Sequence, residues 1–277
     1  MPAVETTLRL GGDLPVHRLG LGAMRLHSGT RAERAASIGT ARRAVEIGVT
    51  FIDTADAYEL GLNEEMLAEA LHPYPGDLVI ATKGGHARPG GAWVPLGRPE
   101  YLRQQAELSL RRLRADRIDL YQLHRVDPKV PFAEQIGALR QLRDEGKVRH
   151  IGLSQVSVAQ LVEAQRIVPI VSVQNRYNLT DRASEDVLEH CAAHGIAFIP
   201  WLPIKPSVAP GGPLAAIAAR LGATPAQVAL SWLLHRSPVM LPIPGTSSTR
   251  HLEENFAAAE LEMSTEDYSG LDALGAD

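Results

Sequence analysis

Four side chains that can carry out acid–base chemistry follow three short apolar segments of the chain. They are Asp53, Tyr58, Lys83 and His124. A phenol ionises near pH ~10, so a tyrosine acts as an acid–base group at neutral pH only beside a cation that stabilises its anion. Lys83 is such a cation, and Asp53 would keep its ammonium group charged and oriented. With His124 donating a hydrogen bond to the same oxygen, the set could protonate a carbonyl or, in reverse, deprotonate an alcohol.

Each of these residues also has an ordinary structural interpretation. Asp53 could be a turn carboxylate and Lys83 a solvated charge. His124 could be a hydrogen-bonded core histidine, and Tyr58 a packing aromatic. Independent structural roles give no reason for four complementary groups to follow three successive strand candidates, so the joint pattern indicates a site. None of the four transfers hydride or electrons, and a carbonyl reduction would therefore require a cofactor.

The elements that position these residues repeat in the order helix, glycine, short apolar strand. Strand candidates lie near residues 19–24, 50–54, 78–82, 118–123, 148–153, 170–174, 196–201 and 239–243. About eight such units predict an α/β fold, a (β/α)8 TIM barrel, in which the carboxyl ends of the strands share one mouth. An open doubly wound sheet has fewer strands and a Gly-x-Gly-x-x-Gly motif after the first strand, which this sequence lacks. The alternating segment around Gly11-Gly12-Asp13 predicts an N-terminal β-hairpin cap.

Local signals predict where the helices begin and end. They are capping boxes at Thr30, Ser157 and Thr224, prolines at the first helical position at Pro99, Pro131 and Pro225, and glycine stops at Gly48, Gly146 and Gly195. No break in composition marks a second domain. We therefore expect residues 1–277 to form a single barrel domain.

Two loops are expected at the rim of the mouth because both follow strands. Residues 84–98 contain His86 and Trp93 among several glycines and prolines, and residues 203–213 are rich in proline. An aromatic residue in a glycine-rich loop is often a ligand contact, which predicts that Trp93 and His86 line a substrate pocket. An ordinary surface connection is the alternative.

Composition argues against several classes of function. The formal net charge of −4, with scattered positive residues, argues against a nucleic-acid partner. Cys191 is the single cysteine, and no tight His/Asp/Glu spacing indicates a metal site. No run approaches the ~18 apolar residues of a membrane span, and the first ten residues lack an apolar signal core. We expect a cytoplasmic protein without a membrane partner, either a monomer or a weak homo-oligomer.

The chain resembles the aldo-keto reductase superfamily at these residues. The matching motifs are Asp-Thr-Ala-x-x-Tyr at 53–58, Ala-Thr-Lys-Gly at 81–84, Asp-Leu-Tyr-Gln-Leu-His at 119–124, Gly-Leu-Ser at 152–154, Val-Gln-x-x-Tyr-Asn at 173–178 and Pro-Ile-Pro-Gly-Thr at 242–246. The resemblance implies NADPH-dependent reduction of an aldehyde or ketone, a small-molecule carbonyl substrate. It further implies that Tyr58 is the general acid, tuned by Lys83 and Asp53, and that His124 orients the carbonyl.

The resemblance also implies an extended NADP(H), with NAD(H) as the alternative cofactor. The implied cofactor-binding positions are Gly22, Ala23, Met24, Ser154, Gln155, Gln174, Trp201, Gly245, Thr246, Ser247, Ser248, Arg250, His251, Glu254 and Asn255. Ser154 and Gln174 match contacts to the nicotinamide carboxamide, and Trp201 matches the aromatic that stacks on its ring. The loop from Gly245 to Ser248 has a physical argument of its own, since amides, hydroxyls and a helix N-terminus bind anions.

Departures from the family pattern affect cofactor and substrate choice. Gly245 and His251 stand where many members have lysine and arginine, so we expect a weakened preference for NADPH. The short C-terminal part and the segment from Gly97 look like bacterial members, including pyridoxal-reductase-like proteins, which makes pyridoxal a substrate to test. Two other functions remain open. One is a Schiff-base aldolase using Lys83. The other is a slow or non-catalytic NADP(H)-binding regulatory subunit.

Overall fold

The computed structural model describes residues 4–204 and 212–275 of the chain. The strands in this part are β1 Thr7–Leu10, β2 Leu14–His17, β3 Leu21–Gly22, β4 Phe51–Asp53, β5 Val79–Gly84, β6 His86–Ala87, β7 Val94–Pro95, β8 Ile118–Leu123, β9 Val148–Ser154, β10 Ile170–Gln174 and β11 Ala197–Phe198. The α-helices are α1 Arg31–Glu46, α2 Leu62–Leu71, α3 Pro99–Leu113, α4 Phe132–Asp144, α5 Val158–Gln165, α6 Glu185–His194, α7 Pro213–Arg220, α8 Pro225–Arg236, α9 Thr249–Phe256 and α10 Thr265–Asp272.

Seven parallel strands form one curled sheet in the order β3-β4-β5-β8-β9-β10-β11. The segment 239–245 lies between the two edge strands and closes the ring. On one side Leu241 N donates to the carbonyl oxygen of Phe198 at 2.8 Å, and on the other Gly20 N donates to that of Pro242 at 2.9 Å. The predicted (β/α)8 barrel is confirmed.

The prediction of a regular strand at 239–243 is wrong in detail. This segment makes only isolated bridges, which pair Met240 with Phe198 and Gly245 with Gly22. Pro242 and Pro244 accept hydrogen bonds from the β3 side but have no N–H to return, so a continuous ladder does not form. The segment nevertheless occupies the eighth position of the barrel.

The predicted N-terminal hairpin is confirmed and plugs the amino-terminal end of the barrel. β1 and β2 pair antiparallel around a turn in which Gly11 and Gly12 have φ values of 62° and 84°. Leu10 and Val16 are buried with Phe51 and other residues from the start of the barrel strands. The turn residue Asp13 pairs with Arg149 at 2.7 Å and His150 at 2.6 Å on β9.

Helix boundaries follow the local signals with one shift. The capping boxes form at Thr30, Ser157 and Thr224, and φ is positive at Gly48, Gly146 and Gly195. Pro99 and Pro225 begin helices as predicted. Pro131, however, is the residue before α4, and its extended backbone (ψ 131°) makes Phe132 the first helical residue.

The first of the two predicted rim loops contains a small hairpin. β6 and β7 pair antiparallel, with His86 opposite Pro95. Asp127, which follows β8, accepts a hydrogen bond from Gly97 N at 3.0 Å and fastens this hairpin to the next loop. We call residues 84–98 the rim hairpin. Most of the second predicted loop, residues 205–211, lies outside the described part of the chain.

Membrane-spanning helices and metal-binding clusters are both absent from the described residues. Over the ranges 4–204 and 212–275, no helix is both long and apolar enough to cross a membrane. The same ranges contain no cluster of three or more His, Cys, Asp or Glu side chains suited to a metal. Cys191 is fully buried, and burial raises the pKa of its thiol to about 12.

Candidate active site

A buried ion pair lies at the centre of the barrel mouth. Lys83, on β5, is completely buried and donates to Asp53 Oδ2 at 2.6 Å, to the carbonyl oxygen of Thr54 at 2.9 Å and to the Tyr58 hydroxyl at 3.2 Å. These contacts use all three protons of an ammonium group. Burial alone would lower the pKa of Lys83, but Asp53 and Tyr58 outweigh it and raise that pKa. Lys83 is therefore a fixed positive charge.

Asp53 is held by side chains from across the barrel. Its Oδ1 accepts hydrogen bonds from Gln122 Nε2 at 3.0 Å and Gln174 Nε2 at 2.9 Å, while Oδ2 faces Lys83. Four strands thus position one carboxylate. The family resemblance matches Gln174 to a cofactor contact. In the structure, its side-chain amide donates to Asp53 Oδ1. Gln122 was not singled out from the sequence, because its partner lies 69 residues away.

Tyr58 is presented to the mouth by a tight turn after β4. Its N–H donates to the carbonyl oxygen of Ala55 at 3.1 Å, and Glu59 and Leu60 then adopt left-handed conformations with φ of 49° and 56°. The half-buried ring lies near Lys83, whose Nζ is 4.9 Å from the ring centroid. Burial raises the pKa of Tyr58 although Lys83 opposes it, so the phenol keeps its proton at neutral pH.

His124 lies beside Tyr58 as a neutral imidazole. The two ring centroids are 5.9 Å apart in an edge-to-face arrangement. Burial, together with the charges of Lys83 and Arg125, lowers the pKa of His124 well below 6.5. Its Nδ1 is buried without a hydrogen-bond partner in the described structure. A neutral imidazole here can donate one hydrogen bond to an oxygen placed near the Tyr58 hydroxyl.

The rim hairpin brings two aromatic rings over these groups. The Trp93 ring lies 6.3 Å from that of Tyr58, 5.8 Å from that of His124 and 5.2 Å from that of His86 (centroid distances). Burial, with the charges of Arg125 and Arg88, lowers the pKa of His86 to about 4. The structure therefore brings Trp93 and His86, the two candidate pocket residues, to the same side of the mouth as Tyr58 and His124.

Residues at the ends of β9, β10 and β11 form a second connected group. Ser154 Oγ donates to the carbonyl oxygen of Gln174 at 2.9 Å and accepts from Arg125 at 2.9 Å. Gln155, in a left-handed conformation (φ 55°), accepts from the Trp201 indole N–H at 2.9 Å. Arg125 was missed at the sequence level because nothing local distinguishes it from the solvated arginines nearby.

The candidate anion loop, Gly245–Ser248, lies against the loop that follows β3. A Cβ at Gly22 would approach the carbonyl oxygen of Ile243 to 2.7 Å, so glycine is required for the two segments to lie side by side. Ser248 caps α9 by accepting from His251 N at 3.4 Å. Arg25 packs its stem about 3.6 Å from the Cβ position of Gly245, and sequence reasoning missed it.

The other candidate cofactor residues lie around this loop. Gly22 and Ala23 are buried, whereas Met24 is 55% exposed beside Arg25. Thr246 is buried, Ser247 is exposed, and Asn255 is buried on α9. Arg250 is 77% exposed and pairs with Glu254 at 3.2 Å, and His251 is exposed. These positions surround one end of the mouth, on the side where the eighth position of the barrel meets β3.

A separate cleft of about 340 Å³ lies on the outer helical layer. It is lined by Arg34, Glu65, Glu69, Arg111, Arg112 and Arg114. Arg34 pairs with Glu69 at 2.6 Å, and Arg112 pairs with the buried Glu64 at 3.1 Å. Two of its arginines are thus paired with carboxylates, and the cleft has none of the acid–base groups of the mouth.

Comparisons with known proteins agree with this geometry. The model of the aldo/keto reductase family matches residues 18–212 and 211–276. An uncharacterized oxidoreductase of Schizosaccharomyces pombe is 48% identical over 271 residues, covering 95% of this chain and 88% of the relative. Pyridoxine 4-dehydrogenase of Escherichia coli is 41% identical over 275 residues, covering 95% and 96%.

Solved structures give the same result. A thermostable aldo-keto reductase in complex with the inhibitor epalrestat superimposes with a TM-score of 0.88 at 30% identity, covering 98% of this chain and 100% of the other. An aldo/keto reductase from Klebsiella pneumoniae in complex with NADP and acetate superimposes with a TM-score of 0.84 at 27% identity, covering 98% and 95%. On this evidence the chain belongs to the aldo/keto reductase family and is an oxidoreductase.

Proposed function

We propose that this protein uses NADPH to reduce an aldehyde or ketone to an alcohol at the mouth formed by Tyr58, Lys83, Asp53 and His124. The observation that supports this most directly is the Lys83 ammonium, which contacts both Asp53 Oδ2 (2.6 Å) and the Tyr58 hydroxyl (3.2 Å). A cation next to a phenol stabilises the phenolate that remains after proton donation. Tyr58 is thereby suited to act as a general acid toward a carbonyl oxygen.

The division of roles follows from the contacts. The carbonyl oxygen lies between the Tyr58 hydroxyl and the His124 ring, which orients it by a hydrogen bond. When bound, the nicotinamide cofactor supplies hydride to the carbonyl carbon. As negative charge develops on the oxygen, the Tyr58 O–H donates its proton, and Lys83 stabilises the phenolate that is left. Asp53 keeps Lys83 in place, and solvent returns a proton to Tyr58 after the alcohol leaves.

The residues present suit a dinucleotide phosphate cofactor. Ser154 at the end of β9 and Trp201 after β11 both lie beside Arg125 and offer a hydroxyl and a flat ring for the nicotinamide end. The Gly245–Ser248 loop and the start of α9 offer amides, hydroxyls and a helix N-terminus for phosphate groups. Arg25 brings positive charge to this loop, and Arg250, which pairs with Glu254, lies on the α9 turn beside it. We propose NADPH as the preferred cofactor, with NADH accepted less well.

One relative suggests which carbonyl compounds to try. It is named a pyridoxine 4-dehydrogenase and is 41% identical to this chain. We propose pyridoxal as a candidate substrate of this protein, alongside simple aromatic aldehydes that fit beside Trp93.

Removal of the Tyr58 hydroxyl tests its role as general acid. Oxidation of NADPH by para-nitrobenzaldehyde should fall by about 10²–10⁴-fold in Tyr58→Phe because the general acid is removed. The affinity for NADPH, measured by fluorescence titration, should change little. Tyr74→Phe is the matched control, since it removes a phenol that donates to the carbonyl oxygen of Leu113, outside the mouth. Undiminished turnover in Tyr58→Phe would contradict the assigned role, and failure to bind either nucleotide would contradict the cofactor.

The geometry is less compatible with a Schiff-base aldolase. A Schiff-base lysine must be neutral to attack a carbonyl, whereas Lys83 is kept charged by Asp53 and has its three donors engaged. Tight NADPH binding without turnover of any carbonyl compound would instead support a regulatory subunit.

A further inference from the structure

Arg125 carries an uncompensated positive charge at the barrel mouth. It directly follows His124 and is half-buried. One of its nitrogens donates to the carbonyl oxygen of His124 at 2.6 Å and to Ser154 Oγ at 2.9 Å, and its guanidinium carbon lies 5.8 Å from the centroid of the Trp201 ring. These contacts fix the side chain beside the reacting groups. None of them neutralises its charge.

Most other half-buried arginines of the described ranges pair with a carboxylate, although Arg88 contacts only the Gly91 carbonyl oxygen and the Trp93 ring. Arg112 pairs with Glu64, Arg182 with Asp272, and Arg236 with Glu185. Arg125 forms no ion pair with Asp or Glu in the described ranges, and burial lowers its pKa with only Tyr58 acting against that effect. Backbone carbonyl oxygens can satisfy a buried guanidinium, but within the described ranges only one nitrogen of Arg125 is hydrogen-bonded, and the rest of its guanidinium favours an anionic ligand.

Asp53 in the mouth and Asp127 in the loop after β8 both have hydrogen-bond partners other than Arg125. Asp53 is tied to Lys83, Gln122 and Gln174. Asp127, two residues after Arg125, turns its oxygens to backbone amides of the rim hairpin and of its own loop, Gly97 N at 3.0 Å and Lys129 N at 2.9 Å. The charge on Arg125 is therefore available to a ligand in the mouth.

The cofactor phosphates do not account for this charge. Their proposed loop, Gly245–Ser248, follows the eighth position of the barrel, and Arg125 follows β8, which is the fourth strand counted from β3. Fourth and eighth positions lie on opposite sides of a closed eight-membered ring. An anion at Arg125 would thus lie next to His124 and Tyr58, where the substrate is expected.

We propose that Arg125 is a specificity-determining residue that binds an anionic group, a carboxylate or a phosphate, on the carbonyl substrate. This rests on the proposed reductase function and adds to it a preference for anionic aldehydes and ketones over neutral ones. Arg125 would bind two acceptor oxygens in the fork geometry typical of guanidinium. The flat surface of Trp93 would then cover the part of the substrate between the anion and the carbonyl.

The test compares anionic and neutral substrates that share one reacting group. The substrates are 2-, 3- and 4-formylbenzoate and their methyl esters, and the variants are wild type, Arg125→Met, Arg125→Lys and Arg140→Met. Arg140 is an exposed arginine on α4, so its variant controls for the change in net charge. For at least one formylbenzoate isomer, the ratio of kcat/KM for acid over ester should fall about tenfold to a hundredfold in Arg125→Met, mainly through KM.

The remaining readouts separate binding of the substrate from other roles. Arg125→Lys should recover part of the ratio because it keeps the charge but loses the fork. Arg140→Met should keep the wild-type ratio. An unchanged ratio in Arg125→Met for all three isomers would overturn the proposal. So would a loss of NADPH affinity large enough to explain the kinetic defect.

A measurement on the wild type covers the case in which Arg125→Met does not fold. Raising KCl should raise KM for the formylbenzoate isomer that is preferred and leave KM for its ester unchanged, because salt screens only the charged contact. Equal salt effects on both would count against the site. If wild type reduces neither the formylbenzoates nor their esters, the proposed reductase function is wrong. Binding of formylbenzoate, measured by tryptophan fluorescence, then still tests Arg125.

Discussion

At the scale of single residues, the site depends on one fully satisfied carboxylate. Asp53 accepts from Lys83, Gln122 and Gln174, so both of its oxygens are occupied and its position is fixed. Removing a single partner of a buried ion pair leaves an uncompensated charge and is strongly destabilising. The Asp53–Lys83 pair fixes the cation beside Tyr58 and also links β4 to β5 within the sheet.

The acid–base groups predict a flat pH profile. The pKa of Tyr58 is raised above 10.0 by burial and that of His124 is lowered well below 6.5 by burial and by Lys83. Between pH 6.5 and 10.0 Tyr58 therefore keeps its proton, and His124 stays neutral. We expect kcat/KM for aldehyde reduction at saturating NADPH to show no inflection from either group in this interval. An inflection near pH 6.5 that disappears in His124→Gln would contradict this.

Asp56 requires a control in that experiment. It is buried behind the mouth, and burial together with Glu64 raises its pKa to about 8. Its ionisation could alter the field at Lys83, which is among the charges that act on it. Repeating the profile with Asp56→Asn removes this titration, and the profile of that variant is the one that reports on Tyr58 and His124.

At the scale of elements, the rim hairpin depends on one aspartate. Asp127 accepts from Gly97 N, and Gln135 holds the Asp127 backbone through hydrogen bonds of 3.0 Å and 2.9 Å. The hairpin carries Trp93 and His86, while the four acid–base groups belong to neighbouring elements. Substrate contacts and proton transfer can therefore be perturbed separately.

Asp127→Ala should weaken substrate binding more than turnover. The change removes the charged acceptor for Gly97 N, a hydrogen bond worth about 1.5–3 kcal/mol, and loosens Trp93. KM for an aromatic aldehyde should rise severalfold, with kcat at saturation and NADPH affinity much less affected. Steady-state kinetics with each substrate varied in turn provide the measurement. A fall in kcat without a change in KM would show that the hairpin does not position substrate.

The sequence predicted the elements better than it predicted their connections. Short apolar strands, capping boxes and positive-φ glycines are local signals, and seven of the eight predicted barrel strands, the hairpin cap and most helix starts were found where expected. The contacts of Gln122 and Gln174 with Asp53 span 69 and 121 residues, and no local pattern encodes them. Arg125 and Arg25 were missed for the same reason, since each is defined by neighbours distant in the chain.

At the scale of the whole molecule, one buried arginine joins the first and last strands of the barrel. Arg18, just before β3, donates to the carbonyl oxygens of Leu234 at 2.8 Å, Ser237 at 2.5 Å and Met240 at 3.1 Å. Burial lowers its pKa to about 10, so it remains charged at neutral pH. It reinforces the closure where Pro242 and Pro244 limit the backbone ladder.

Arg18→Met should destabilise the whole barrel. It leaves buried carbonyl oxygens without donors, and each hydrogen bond to a charged group is worth about 1.5–3 kcal/mol, so a loss of about 3 kcal/mol or more is expected. The free energy of unfolding in urea measures it, with Arg140→Met expected to stay within about 0.5 kcal/mol of wild type. A loss below about 1 kcal/mol would show that Arg18 contributes little to closure.

The three tryptophans of the chain divide its intrinsic fluorescence into two signals. Trp93 and Trp201 lie at the mouth, whereas Trp232 is fully buried on α8 and stacks near Tyr177. If the proposed dihydronicotinamide binds beside Trp201, it would absorb the indole emission of that residue, and the loss of that emission would report occupancy. Trp232 is buried in the core, so its emission should respond mainly to unfolding. Comparing Trp201→Phe with Trp232→Phe therefore separates the fluorescence change caused by ligand binding from the change caused by unfolding.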